Sequence, residues 1–223
     1  MTDAIIRAQA LGQTFQGPSG QLTILDAIDL EVHPGESLAV VGPSGSGKST
    51  LLGLLAGLDR PSEGEVWLLG QRLSGLDEDQ RAELRAGRVG FVFQSFQLMA
   101  GFSALENVML PLEITNRTDA RDLAADWLSK VGLGDRMDHR PGQLSGGEQQ
   151  RVAVARAFAL QPEVLFADEP TGNLDRKSGA QVAESLFDLQ TQSDSAVVLV
   201  THDPALAERC QRTVTLESGR LVS

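Results

Sequence analysis

Short apolar runs closed by glycine, proline or acidic residues set the rhythm of the chain. Ser37-Leu38-Ala39-Val40-Val41, Arg88 to Phe93, Glu163-Val164-Leu165-Phe166-Ala167 and Ala196 to Val200 are continuous apolar stretches and predict buried strands. Ile5 to Ala10 and Leu22 to Val32 alternate instead. The cluster Gln16-Gly17-Pro18-Ser19-Gly20 lies between them, so they predict an antiparallel β portion joined by a turn. Glu65 to Leu69 predicts a strand after the turn Pro61-Ser62-Glu63-Gly64, and Arg212 to Leu216 with Gly219 to Val222 predicts a closing hairpin. Helices are predicted over Leu51 to Leu55, Asp77 to Ala86, Ser103 to Leu112, Asp119 to Val131, Ser145 to about Leu160, and Lys177 to Gln190. Together these elements describe one α/β domain. Residues 1–94 and 144–223 would form a mixed core sheet with the antiparallel β portion, and 95–143 an inserted helical subdomain.

The chain of 223 residues, 41% hydrophobic, suits a single compact domain. A net charge of −11 argues against a nucleic-acid surface, which needs clustered Lys and Arg in excess. Cys210 is the only cysteine, so no intrachain disulfide can form, and the three histidines show no zinc spacing; both point to a reducing, cytosolic setting. The start MTDAIIRAQA carries Asp3 and no long apolar core. No stretch approaches about 18 uninterrupted apolar residues, so neither a signal peptide nor a membrane span is expected.

One stretch dominates the chemistry. Gly42-Pro43-Ser44-Gly45-Ser46-Gly47-Lys48-Ser49-Thr50 fits G-x-x-x-x-G-K-[ST] between a predicted strand and a predicted helix. Glycines let successive N–H groups converge on an anion, Lys48 adds a charge for terminal phosphates, and Ser49 offers a hydroxyl to Mg²⁺. The loop implies a nucleoside triphosphate with magnesium, without choosing between ATPase, GTPase and kinase. The strand ending at Ala167 delivers Asp168 and Glu169 to the carboxyl edge of the sheet, where Asp168 can hold Mg²⁺ and Glu169 can polarise an attacking water. Gln94 ends another strand and can ligand a metal or water. His202 ends a third and can contact a γ-phosphate, whereas His33 and His139 read as surface residues.

Other positions admit two readings. Phe15 is either a base-stacking aromatic or a core phenylalanine. Phe96, Leu98, Met99 and Phe102 either pack inside the helical subdomain or line a groove for a partner's helix. Ser145 caps a helix whose first turn holds Gly146 and Gly147. Those glycines either leave bare N–H groups for a second anion or permit close packing, at a cost of about 1 kcal/mol each in helix propensity.

Taken in order, these stretches resemble an ABC-transporter ATPase over essentially the whole chain. GPSGSGKST resembles Walker A, Gln94 the Q-loop glutamine, and LSGGEQQR, with Ser145, Gly146, Gly147 and Gln149, the signature. VLFADEP resembles Walker B followed by Glu169, NLD the D-loop, and His202 the switch histidine. GFVFQSFQLM, SALENVMLPL, LSGGEQQRVAVARAF and ADEPTGNLDRKSG are similar to the lipoprotein-release and macrolide-export branch. Phe15 stands where many of these ATPases carry tyrosine.

The resemblance implies a Mg²⁺-dependent ATPase in which Lys48, Gln94, Glu169 and His202 act in catalysis and Ser49, Gln94 and Asp168 serve the metal. It implies two copies packed head to tail, the signature of one closing on the ATP of the other. It also implies an integral membrane permease as partner, for export or extraction of lipophilic or lipoprotein-like substrates, at the cytoplasmic face of the inner membrane. The alternative is a soluble ABC-type ATPase that regulates assembly or division.

Overall fold

A computed structural model describes residues 4–17 and 20–222. Asp3, and Pro18 and Ser19 of the expected turn, lie outside the described residues. In chain order the elements are β1 (Ile6–Gly17), β2 (Gly20–Val32), β3 (Ser37–Val41), α1 (Lys48–Leu55), β4 (Glu63–Leu68), β5 (Gln71–Arg72), α2 (Glu78–Arg85) and β6 (Val89–Phe93). Then follow α3 (Ala104–Ile114), α4 (Ala120–Lys130), α5 (Gly146–Phe158), β7 (Val164–Asp168), α6 (Arg176–Ser193), β8 (Ala196–Val200), α7 (Pro204–Ala207), β9 (Arg212–Glu217) and β10 (Arg220–Val222). Grouped by compactness they form two units, Met1–Ala86 with Ala196–Ser223, and Gly87–Ser195.

The first unit holds two sheets. One is antiparallel in the order β2-β1-β4-β5, and its alternating strands turn Ile6, Ala8, Leu11, Leu25, Ile28 and Leu30 inward. In the other, β3 lies parallel to both β8 and β9, and β9 pairs antiparallel with β10. Every residue of β8 is buried, as its unbroken run of Ala, Val and Leu requires.

In the second unit β6 and β7 pair in parallel, with Phe91 stacked on Phe166 at 5.7 Å between ring centroids. Helices α3, α4, α5 and α6 complete it. Ser103, Ser145 and Asp175 cap α3, α5 and α6 through their side chains, each cap contributing about 1 kcal/mol. Phe158 of α5 is fully buried against Trp127 of α4, and a fully buried phenylalanine contributes about 1.5–3 kcal/mol. Gly90 lets β6 approach α5, since a Cβ there would stand 2.6 Å from the carbonyl oxygen of Ala157. That close approach sets the strand leading to Gln94 directly against the helix that begins at Gly146.

Candidate functional site

In the first unit the glycine loop leaves β3 at the edge where β8 also ends. Val40 is in register with Val200, so Gly42 and His202 emerge side by side from paired strands. The glycines have separate reasons to be there. Gly42 sits at φ 152, and a Cβ on it would lie 2.1 Å from the carbonyl oxygen of Leu216; Gly47 sits at φ 103, and its Cβ would meet a Leu25 methyl at 2.9 Å. Gly45, at φ 79, has open space around it, so only its left-handed backbone demands glycine.

Helix α1 starts at Gly47 without a side-chain cap and without an acid in its first turn, unlike α2, α3 and α5, which have both a cap and an acid. Its leading N–H groups and positive dipole end are therefore left for an anion from outside the chain. Lys48 Nζ donates to the carbonyls of Gly42 and Pro43, at 2.9 Å each, which holds the ammonium over the loop. Ser46 Oγ is buried with no protein partner, a further polar group directed at this loop. These features fit a bound triphosphate.

In the second unit Phe93 of β6 pairs with Asp168 of β7, so Gln94 and Glu169 follow at adjacent strand ends. Glu169 has φ 47, an uncommon conformation for a non-glycine residue and one that concentrates at functional positions. Asn173 grips Gln94 twice: Gln94 Nε2 donates to Asn173 Oδ1 at 2.9 Å, and Asn173 Nδ2 donates to the Gln94 carbonyl at 3.1 Å. Gly172 permits this, because a Cβ there would stand 2.9 Å from Gln94 Nε2.

Helix α5 opens with a full capping box. Ser145 Oγ accepts from the N–H of Glu148 at 3.3 Å, and the Glu148 carboxylate accepts from the N–H of Ser145 at 2.8 Å. The bonds from the Ser145 backbone and hydroxyl hold the Glu148 carboxyl below its ordinary range. The first turn is thus less bare than its glycines imply, and the N–H groups outside the box are those of Gly146 and Gly147. Close packing accounts for Gly147, whose Cβ would lie 2.8 Å from the Ser178 Cβ of α6. Gly146 is less confined, with a Leu174 methyl at 3.3 Å and the Phe96 ring at 3.7 Å from such a Cβ. Gln149 is half-buried and donates to the Leu144 carbonyl at 3.1 Å.

Phe15 is 52% exposed and pairs across the hairpin with Leu22, itself 60% exposed, so the core reading of Phe15 does not hold. Met99 and Phe102 are exposed as well, which removes them from packing inside the helices. His33 is exposed as expected, while His139 is half-buried.

The profile of the ABC transporter family matches residues 25–172. The chain belongs to that family. It is 55% identical over 219 residues to the uncharacterized ABC transporter ATP-binding protein YbbA of Escherichia coli, covering 97% of this chain and 96% of that one. It is 48% identical over 221 residues to the lipoprotein-releasing system ATP-binding protein LolD of Pseudomonas syringae pv. tomato, covering 98% and 97%. The solved dimeric, post-hydrolysis structure of the ATP-binding cassette MJ0796, bound to ADP and Pi, superposes with a TM-score of 0.90 at 37% identity, covering 98% and 97%. The protein is accordingly an α/β P-loop ABC ATPase, the ATP-hydrolysing motor subunit of a transporter, working with ATP and Mg²⁺.

Among the described residues no cluster of three His, Cys, Asp or Glu side chains could hold a metal unaided. Magnesium asks for less, since it is held by one or two protein oxygens with phosphates and water completing the shell; a hydroxyl such as that of Ser49 in the first unit and a carboxylate such as that of Asp168 in the second are each donors of that kind. Among the described residues, no helix is long and apolar enough to cross a membrane.

Gly172, Gln150 and Arg156 escaped the sequence reading. Gln150 was the most discoverable, because it occupies the buried stripe of α5 with Gly147, Val154 and Phe158, where an apolar residue is the norm.

Proposed function

We propose that two copies of this chain drive an integral membrane permease of the lipoprotein-release or macrolide-export type, at the cytoplasmic face of the inner membrane. The substrates of that permease are lipophilic or lipoprotein-like. Likeness to YbbA and LolD over nearly the whole chain supports this branch, and the dimeric MJ0796 cassette supports the pairing of copies.

In this proposal the loop Gly42–Thr50 holds the phosphates, with Lys48 on the β- and γ-groups, and Phe15 stacks on the base. Ser49, Gln94 and Asp168 hold magnesium, which when bound offsets charge on the phosphate oxygens. Glu169 orients and polarises the attacking water, and His202 donates to the γ-phosphate. Ser145, Gly146, Gly147 and Gln149 of one copy close on the nucleotide of the other. Residues 95–143 act as the subdomain that meets the permease.

The observation carrying the permease reading is an apolar groove of about 310 Å³ in the second unit, lined by Phe91, Phe93, Leu110, Pro111, Ile114 and Leu160 among others. Ile114 is 72% exposed, an apolar side chain at the mouth of an apolar groove. Phe96, Leu98 and Met99, expected from the sequence to grip a partner helix, are not among the residues lining this groove. The testing variant is Ile114→Glu, followed by copurification of membrane proteins from cells expressing the tagged chain. The proposal expects a permease to copurify with the natural chain and to be lost with the variant, while the urea midpoint stays unchanged. Retention by the variant would move the docking surface elsewhere.

A further inference from the structure

The loop after Gln94 holds a backbone arrangement that needs outside help. Phe96 has φ 61 and Gln97 has φ 49, the one place among the described residues where two successive non-glycine residues are left-handed. Residues other than glycine visit this region singly and at a cost, because Cβ crowds the following carbonyl. Both of their carbonyls point to one guanidinium: Arg156 Nη1 donates to Gln97 O at 2.7 Å and Nη2 to Phe96 O at 3.1 Å. Arg156 lies near the C-terminal end of α5, the helix that begins with Gly146 and Gly147. Acids outnumber Lys and Arg by 30 to 19 in this chain, yet Arg156 forms no ion pair among the described residues. A carboxylate beside it would compete with those two carbonyls for the same donors. Burial without a countercharge pushes its pKa down, as a guanidinium held only by neutral oxygens requires.

The neighbouring attachments converge on the same short segment. Gln150 of α5, fully buried, donates from Nε2 to Phe93 O at 3.2 Å and to Pro170 O at 2.7 Å, fixing the residue before Gln94 and the residue after Glu169 with one amide. Asn173 holds Gln94 itself. Arg156 supplies the last hold, just beyond Gln94.

We infer that Arg156 is a positioning residue for ATP hydrolysis, which keeps Phe96 and Gln97 left-handed and thereby fixes where Gln94 presents its amide. The inference rests on the role proposed above for Gln94. The same guanidinium also lines the apolar groove, so the groove and the Gln94 loop share one side chain.

The test uses the full chain with Arg156→Ala, Gln97→Gly, the double variant and Gln94→Ala. Arg156→Ala should lower kcat about tenfold with the KM for ATP within about twofold, because the glycine loop is untouched. In the nucleotide-free protein, amide exchange across Ser95–Met99 should accelerate about tenfold, a readout independent of activity. The double variant should recover most of the lost kcat, since glycine holds a positive φ without a clamp. A merely structural arginine would show a lowered urea midpoint and no such recovery. An unchanged kcat in Arg156→Ala, or a loss that Gln97→Gly fails to relieve, overturns the inference. If Gln94→Ala is inactive while Arg156→Ala is normal, only the positioning role falls; if Gln94→Ala is fully active, the role of Gln94 falls and the positioning role with it.

Discussion

The two glycines that open α5 should respond differently to a single methyl group. In Gly147→Ala the new Cβ would stand 2.8 Å from the Cβ of Ser178, well inside the roughly 3.5–4.0 Å at which carbon atoms attract. Ser178 is held in α6, so the helices must part, and overpacking of this kind costs about 1–3 kcal/mol. Alanine returns about 1 kcal/mol of helix propensity, so at the middle of that range the net loss is about 1 kcal/mol. The urea midpoint, followed by circular dichroism, should fall by about 0.5–1 M, and Ser178→Gly in the same chain should restore most of it. Gly146→Ala meets only a Leu174 methyl at 3.3 Å and the Phe96 ring at 3.7 Å, so its midpoint should stay close to that of the natural chain.

Gly146→Asp adds charge where the proposed dimer brings a γ-phosphate. Sizing chromatography with ATP, in a Glu169→Gln background, should show dimers that Gly146→Asp abolishes. If Gly147→Ala is as stable as the natural chain, contact with Ser178 is not why glycine stands there. Equal dimerisation with and without Gly146→Asp would remove the signature from the interface.

Two further outcomes are expected. Glu169→Gln should retain ATP but lose nearly all turnover, because an amide cannot polarise water while the glycine loop is intact; phosphate release measured beside ATP retention decides this, and near-normal turnover refutes it. Burial pushes the Cys210 thiol up to about 11, so a thiol reagent at pH 8 should label the native chain about tenfold more slowly than the urea-unfolded chain. The folded state prefers the neutral thiol, so this contribution to stability is complete below the ordinary thiol pKa and is lost as pH rises from about 9 to about 11; equal labelling rates would contradict the burial.

Features encoded locally were legible in the sequence. The glycine motif, the cap at Ser145 and the apolar strands are each read from residues a few positions apart, and all are present. Helix α6 runs to Ser193, beyond the expected Gln190, because Thr191 and Ser193 turn their hydroxyls back to the carbonyls of Phe187 and Leu189 before Asp194 turns left-handed. Helix α7 carries its signal in Asp203 and Pro204 but is too short for any periodicity to announce it. The partners of Arg156 and Gln150 were illegible for another reason: Phe93, Phe96, Gln97 and Pro170 offer main-chain carbonyls distant in sequence, and a carbonyl leaves no trace in the residue type that bears it.

Gly42 owes its identity to the carbonyl of Leu216, on a strand that runs parallel to β3 and lies far downstream of it. The floor of the phosphate loop is therefore laid by residues synthesised long after the loop itself. A chain still on the ribosome can form β3 and α1 but cannot brace the loop between them until β9 has emerged. The loop should therefore bind nucleotide poorly until β9 has been made, and a message cut short before Arg212 yields a product that carries the whole glycine motif and lacks the wall behind it.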